Sequence, residues 1–394
     1  MPHYKYLIIG GGMAAGAAIR GIRDVDTQSP IGMISEESDP PYKRPPLSKK
    51  LWTGGKVEKI WIKIEDKGVT AHLGHTVAAI DPLNKHVVDT EGTAYTFEKL
   101  LIATGGTPRT LPFGDDRIIY FRTFADYTKL RALAAKRRRF AVIGGGFIAS
   151  ELAAALRMNG NEVVMLLPED GISQRLFPPD LAEFITTFYR DKGVEVLTGE
   201  MVVGLDSAGA QFTLRTKSGR EVTVDGVVAG LGIQPNIGLA RDAGLEVDHG
   251  ILVDQYLRTS HPDIYAAGDI AEFPDPTLGG RRRVEHEDNA NTMGRLAGRA
   301  MAGEQAPYTH IPFFYSDLFE LGYEAVGDLD SRLEIFSDWT EPFRKGVVYY
   351  LKSGRVRGVL LWNVWDQVDA ARQLLAEPGP FRQADLIGRL PRKD

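Results

Sequence analysis

Two short glycine-rich segments carry the most legible chemistry in the chain. Gly10-Gly11-Gly12-Met13-Ala14-Ala15 and Gly144-Gly145-Gly146-Phe147-Ile148-Ala149 both read G-x-G-x-x-A. Each position has a physical purpose. The first glycine (Gly10, Gly144) permits a tight turn. The second (Gly12, Gly146) leaves the backbone bare, so that a pyrophosphate can approach. The small third position (Ala15, Ala149) lets a helix lie close against a strand. Phosphate placed there meets the positive end of that helix. Each segment is followed by a further strand-like run ending in acid, Glu36 after Ile31–Ser35 and Glu169 after residues 163–167, where a carboxylate can hold a ribose diol. One fingerprint of this kind is weak. Two, each with all its parts, predict a protein that binds two dinucleotides.

The elements that must position these segments lie on either side of them. Residues 6–9 and 140–143 are unbroken apolar runs, the pattern of strands buried on both faces. A helix is predicted after each turn, to about Arg23 and to about Asn159. Far downstream, residues 346–351 and 356–361 read as antiparallel strands. The predicted fold class is α/β, with two Rossmann-like dinucleotide-binding domains and a smaller α+β C-terminal domain.

Composition narrows the chemistry. At 394 residues the chain exceeds one ordinary core. It has no cysteine, which excludes a disulfide framework, a thiolate metal site, a protein-held iron–sulfur cluster and thiol redox catalysis. Redox work therefore falls to bound cofactors. FAD with a nicotinamide nucleotide is the chemically sensible pair, because flavin accepts hydride and releases single electrons, which nicotinamide cannot do. A net charge of −5 offers no basic footprint for nucleic acid. No run reaches the ~20 apolar residues of a membrane helix, and the first residues lack a signal-peptide pattern, so a cytoplasmic protein is expected. Glu285-His286-Glu287-Asp288 lacks metal-ligand spacing, and no metal is expected. The basic runs 136–139 and 281–283 read as solvated segments, the second also as a docking point for an acidic redox partner.

Residues 10–16, the segment Pro41-Tyr42-Lys43-Arg44-Pro45-Pro46-Leu47-Ser48-Lys49, Ala103-Thr104-Gly105-Gly106-Thr107-Pro108-Arg109 and Tyr265-Ala266-Ala267-Gly268-Asp269 together resemble FAD-dependent pyridine nucleotide oxidoreductases. Residues 144–152, Val284-Glu285-His286 with 294–298, and Gly322-Tyr323-Glu324-Ala325-Val326-Gly327 are similar to the apoptosis-inducing factor group, with the ferredoxin reductases of bacterial oxygenase systems nearby. The likeness extends over almost the whole chain.

The resemblance implies a glutathione-reductase-like arrangement in which one dinucleotide-binding domain is inserted in the other, with an FAD-binding domain of 1–112 and 233–308, a nicotinamide-binding domain of 113–232 and a C-terminal domain of 309–394. It also implies residue roles. FAD would have Gly10, Gly12 and Ala15 at its pyrophosphate turn, Arg44 and Arg109 as phosphate-side cations, and Asp269, read also as opening a helix, at its ribityl chain. His286, Phe314 and Tyr315 would surround the flavin ring, with Tyr315 standing where the family commonly has tryptophan. Val77, Glu285 and Gly232 join the implied cofactor contacts. NADH would have its pyrophosphate at Gly144, Gly146 and Ala149 and its adenosine ribose at Glu169. That carboxylate would repel the extra phosphate of NADPH, making NADPH the less favoured donor, and Arg175 on the following loop would soften the discrimination. Lys49 and Glu151 would meet beside the reactive face of the flavin, and Phe147 would cover that face until nicotinamide arrives. The implied activity is hydride transfer from NADH to FAD, then electron transfer to a small iron–sulfur carrier, ferredoxin or rubredoxin. Two alternatives stand beside it. One is a redox sensor whose NADH charge-transfer complex changes dimerisation, and the other is an NADH oxidase or quinone reductase. The segment after Trp52 is short for the regulatory hairpin of vertebrate apoptosis-inducing factors, and no targeting leader is read, so a death-signalling role is not expected.

Overall fold

The computed structural model describes residues 1–136 and 138–390, so Arg137 of the first basic run lies outside the described residues. Contacts divide the chain into two compact units. The first comprises Met1–Arg44, Lys56–Thr107 and Gln234–Pro312, and the second Pro45–Gly55, Pro108–Ile233 and Phe313–Asp394. In chain order the helices are α1 (Met13–Val25), α2 (Phe124–Ala134), α3 (Phe147–Met158), α4 (Pro179–Asp191), α5 (Gly238–Asp242), α6 (Glu287–Met301), α7 (Val368–Ala376) and α8 (Gln383–Leu386). Among the described residues no helix is long and apolar enough to cross a membrane.

The first unit is built on a sheet in which Val69–Leu73, Ile31–Ser35, His3–Ile9 and Ala94–Ile102 lie side by side and parallel. The last of these strands divides its free edge. Its end, from Leu100 to Ile102, pairs in parallel with Ile264–Ala266, while its beginning pairs antiparallel with His86–Asp89 and so with Val77–Asp81. Leu7, Ile8, Leu100, Leu101 and Ile102 are wholly buried, as an apolar strand covered on both faces must be. The helix α1 can approach α6 closely because both carry small residues: a Cβ on Gly294 would collide with Ala14 O, and one on Gly298 with Ala18 O.

One expectation fails here. No helix begins at Asp269. Gly268 takes φ +81° and Ala271 N–H donates to Gly268 O, which turns the chain into the strand Ala271–Pro274. The next helix, α6, starts only at Glu287.

The second unit holds another parallel sheet, in the order Val194–Leu197, Glu162–Leu166, Arg139–Ile143, Gly226–Ala229, Ile119–Tyr120. An antiparallel set, Val202–Ala208, Gln211–Thr216 and Glu221–Val224, follows it in sequence. The unit also contains an antiparallel sheet in the order Phe313–Leu318, Leu321–Gly327, Arg355–Trp362, Lys345–Lys352, Glu334–Glu341. The predicted fold class is therefore the observed one: α/β with Rossmann-like parallel sheets and a C-terminal antiparallel sheet.

Candidate active site

The two glycine turns share one backbone. Gly10 and Gly144 both take φ +115°, which L side chains rarely adopt. A Cβ on Gly144 would also fall 2.6 Å from Gly230 O, and one on Gly10 would collide with Ala103 O. Gly12 and Gly146 then cap α1 and α3 in extended conformations (φ −87°, ψ −167° and φ −85°, ψ −171°), with no side chain capping either helix. A Cβ on either glycine would meet nothing within 4 Å. Bare backbone, open volume and an uncapped helix N-terminus are what a pyrophosphate needs. Both turns fit a dinucleotide.

In the first unit, Ala15 packs wholly buried behind its turn. Glu36 follows Ile31–Ser35 directly and is exposed. Its neighbour Glu37 forms an ion pair with Arg44 and accepts a hydrogen bond from Tyr42 Oη. Arg44, so held, lies within electrostatic reach of Asp269. Val77 opens its strand and is buried. His286 is the N-cap of α6, and burial pushes its imidazole down to about 4, so it is neutral at ordinary pH. The neighbouring Glu285 pairs with Arg283 at 2.6 Å. The run 281–283 is tied down throughout. Arg281 donates to the carbonyls of Val253 and Glu272, Arg282 pairs with Asp275, and Arg283 donates to Asp269 O at 2.8 Å.

In the second unit, Lys49 Nζ lies 2.7 Å from Glu151 Oε1. Glu151 is only 3% exposed, and its carboxylate has two more donors. Ser316 Oγ donates to Oε1 at 2.7 Å and Ser48 Oγ to Oε2 at 2.5 Å. Both serines are buried. Sequence reasoning missed them, although strand alternation from Phe314 pointed to Ser316. Tyr189 and Tyr323 are buried in the same region. Burial pushes both phenols well above their ordinary range, and the charge of Glu151 adds to the effect. Lys49 Nζ also lies 5.1 Å from the centre of the Tyr315 ring. Phe147 meets Phe314 edge-on, with centroids 5.0 Å apart. The result is a buried carboxylate held by three donors from two other segments, with an ammonium fixed in direction and two aromatic rings in contact. Removing one member of a buried ion pair costs roughly 3–5 kcal/mol, because the other charge is left unmatched.

Two smaller pairings complete the unit. Arg175 Nη2 lies 2.7 Å from Glu169 Oε1. Arg109 donates from its backbone N–H to Gly232 O at 3.0 Å, and from Nε to Ile233 O at 3.3 Å. Gly232 takes φ +81°. Ala149 is wholly buried behind the second turn. Lys49, Glu151, Phe147, Phe314 and Tyr315 thus come together, as do Glu169 with Arg175, Arg109 with Gly232, and Arg44 with Asp269.

Comparison with known proteins gives a consistent picture. A family described as pyridine nucleotide-disulphide oxidoreductase matches residues 4–294. A second, the mitochondrion-associated C-terminal region of apoptosis-inducing factor, matches residues 297–342 and 336–377. The chain is 36% identical over 416 residues to apoptosis-inducing factor 1, mitochondrial, of Dictyostelium discoideum, covering 94% of this chain and 78% of that protein. It is 34% identical over 394 residues to monodehydroascorbate reductase 3 of Arabidopsis thaliana, covering 91% and 89%. Its fold matches a chain in the crystal structure of the covalent putidaredoxin reductase–putidaredoxin complex with a TM-score of 0.91 and 28% identity, over 98% of this chain and 96% of that one.

Proposed function

This chain belongs to the pyridine nucleotide-disulphide oxidoreductase family, and from that premise we propose that it is an NADH-dependent reductase whose FAD passes electrons to a small iron–sulfur carrier. That it is an FAD- and NAD(P)H-dependent oxidoreductase follows from the family. With no cysteine it is not a disulfide reductase. Bound FAD supplies two-electron acceptance from nicotinamide and one-electron delivery onward.

The carrying observation is the buried Lys49–Glu151 pair with its two serine donors. In this reading Glu151 aims the Lys49 ammonium, which would offset negative charge on a bound flavin. Phe147, resting on Phe314, would give way to nicotinamide. Gly10, Gly12, Ala15, Glu36, Arg44, Val77, Arg109, Asp269, Glu285, His286 and Tyr315 hold FAD. Gly144, Gly146, Ala149 and Gly232 cradle the nicotinamide nucleotide, and Glu169 accepts from its adenosine ribose. An anionic reader at that position disfavours a 2′-phosphate, which supports NADH over NADPH. The domains proposed are 1–112 with 233–308 for FAD, 113–232 for the nicotinamide nucleotide, and 309–394.

The iron–sulfur acceptor is supported by the likeness, over 98% of this chain, to a putidaredoxin reductase–putidaredoxin complex. A second reading has monodehydroascorbate as the acceptor, favoured by the 34% identity to the Arabidopsis enzyme. One assay separates them: steady-state NADH oxidation with a plant-type [2Fe–2S] ferredoxin, with putidaredoxin, or with enzymatically generated monodehydroascorbate. Rapid, salt-sensitive reduction of an iron–sulfur protein supports the first reading. Turnover only with the ascorbate radical replaces it with the second.

A further inference from the structure

The loop that follows Glu169 is held at both ends of its reach. Towards the glycine turn, Ser173 N–H donates to Gly145 O at 2.9 Å, and Ser173 takes φ +56° to do so. Beyond it, three consecutive residues are gripped by the C-terminal antiparallel sheet and its connections. Ser331 N–H donates to Arg175 O at 3.1 Å. Tyr350 Oη donates to Leu176 O at 2.8 Å. Phe177 is wholly buried, with Tyr323 at 5.4 Å and Trp362 at 5.7 Å between ring centroids, both edge-on. Between these anchors Arg175 reaches back to Glu169.

The anchors matter because the ion pair cannot hold itself. The Arg175 side chain is 83% exposed and that of Glu169 23%. An exposed pair gains little, since solvent screens it and its side chains lose entropy when fixed. The direction of the Arg175 side chain is therefore set chiefly by where its backbone is pinned. That backbone is pinned by Ser331 and, one residue on, by Tyr350, a wholly buried side chain of the strand Lys345–Lys352.

We infer that the C-terminal sheet is part of the device that chooses between NADH and NADPH, with Tyr350 as the positioning residue that keeps Arg175 over Glu169. This rests on the reading of Glu169 as the adenosine-ribose residue. Glu169 alone repels a 2′-phosphate. A fixed Arg175 offsets that charge and offers a guanidinium to the phosphate, so the site tolerates NADPH to the extent that the loop is pinned. Loosening the loop makes the site more selective for NADH.

The test is calorimetric titration of FAD-loaded protein with 2′,5′-ADP and with 5′-AMP, which differ in the 2′-phosphate and need no turnover. The quantity read is the ratio of the two dissociation constants. Arg175→Ala should weaken 2′,5′-ADP relative to 5′-AMP by about tenfold, the scale of a charged hydrogen bond. Tyr350→Phe, which deletes one hydroxyl, should weaken it about three- to fivefold in the same direction, and in the Arg175→Ala background should change the ratio by less than about 1.5-fold. Ser331→Pro, which removes the other donor, should act in the same direction. A ratio unchanged by Tyr350→Phe, or the same factor added on top of Arg175→Ala, overturns the inference, because a structural loss acting elsewhere would not vanish with Arg175. Glu169→Ala separates the two levels. If it leaves the ratio unchanged, the ribose reading falls and this inference with it. If it shifts the ratio towards 2′,5′-ADP while Tyr350→Phe does nothing, only the role of the sheet is lost.

Discussion

Gly10 and Gly144 share φ +115°, and the helices after them start from extended glycine caps that differ by only a few degrees. Two residues beyond the small third position the likeness ends: α1 carries Ala17 and α3 carries Glu151. Ala14, Ala15, Ala17 and Ala18 are all buried, and α1 lies close against α6 through glycines that admit no side chain. On α3 the corresponding stretch has exposed Ile148, then buried Glu151 with its lysine and two serines. In the proposed reading both turns bind a dinucleotide, and the next turn of helix is where the two differ. A helix sealed by small residues suits a cofactor that stays. A helix that spends its second turn on a buried charge suits a site where an exchanging cofactor must react.

The comparison can be broken most severely at the first glycines. Gly10→Ala and Gly144→Ala both place a Cβ against a carbonyl and force an L residue to φ +115°. Gly10→Ala should give protein purified without flavin. Gly144→Ala should stay yellow while its reduction by NADH slows at least about 100-fold, the scale expected when a reactant is no longer held in place. Absorbance spectra and stopped-flow mixing read both. Identical behaviour of the two variants would remove the division of labour.

Next in size is the charge on α3. Glu151→Ala leaves Lys49 buried and unmatched and should cost about 3–5 kcal/mol of stability. Glu151→Gln keeps the size of the side chain and an oxygen for Ser48 or Ser316, and should cost less. Denaturant melts of the two variants decide it, and equal losses would mean that packing rather than charge is at stake.

The second glycines sharpen the comparison more gently. A Cβ on Gly12 or Gly146 meets no protein atom within 4 Å, so Gly12→Ala and Gly146→Ala should leave melting within about 0.5 kcal/mol of the parent. Each should nevertheless weaken its own cofactor about tenfold or more, since the proposed reading has the pyrophosphate approach through that open volume. Unchanged affinities for FAD and NADH would show that the volume is not used.

A further effect is read by acid. The His286 imidazole is held down to about 4 by burial, below its ordinary 6.5. The unfolded chain therefore takes up this proton first, and the contribution of a neutral His286 to stability is lost as pH falls from about 6.5 towards 4. In FAD-free protein, His286→Gln should flatten that part of the stability profile. A profile of the same slope in both proteins would put the acid sensitivity elsewhere.

The strands and turns were legible because their signals are local. Residues 6–9 and 140–143 fall within His3–Ile9 and Arg139–Ile143, and residues 346–351 and 356–361 within two strands of the antiparallel sheet. The polar surroundings of Glu151 were not legible. Ser48 and Ser316 lie 103 and 165 residues away in sequence, and a serine carries no mark of the partner that folding brings to it. The same reason hid the grip of Tyr350 on Leu176, 174 residues distant. The helix expected at Asp269 failed differently. Glycine followed by aspartate reads as a helix cap, but the left-handed Gly268 turns the chain into a strand instead. The internal partners of arginines 281–283 were hidden for the same reason, since sequence does not show the carbonyls and carboxylates that meet them.

The measurement that tests the central claim most directly is the visible spectrum of the FAD-loaded protein, kept anaerobic, before and after a slight molar excess of NADH. The account predicts a yellow protein whose flavin bands bleach on mixing. Protein that takes up no FAD, or flavin that stays oxidised with NADH and NADPH alike, would contradict it.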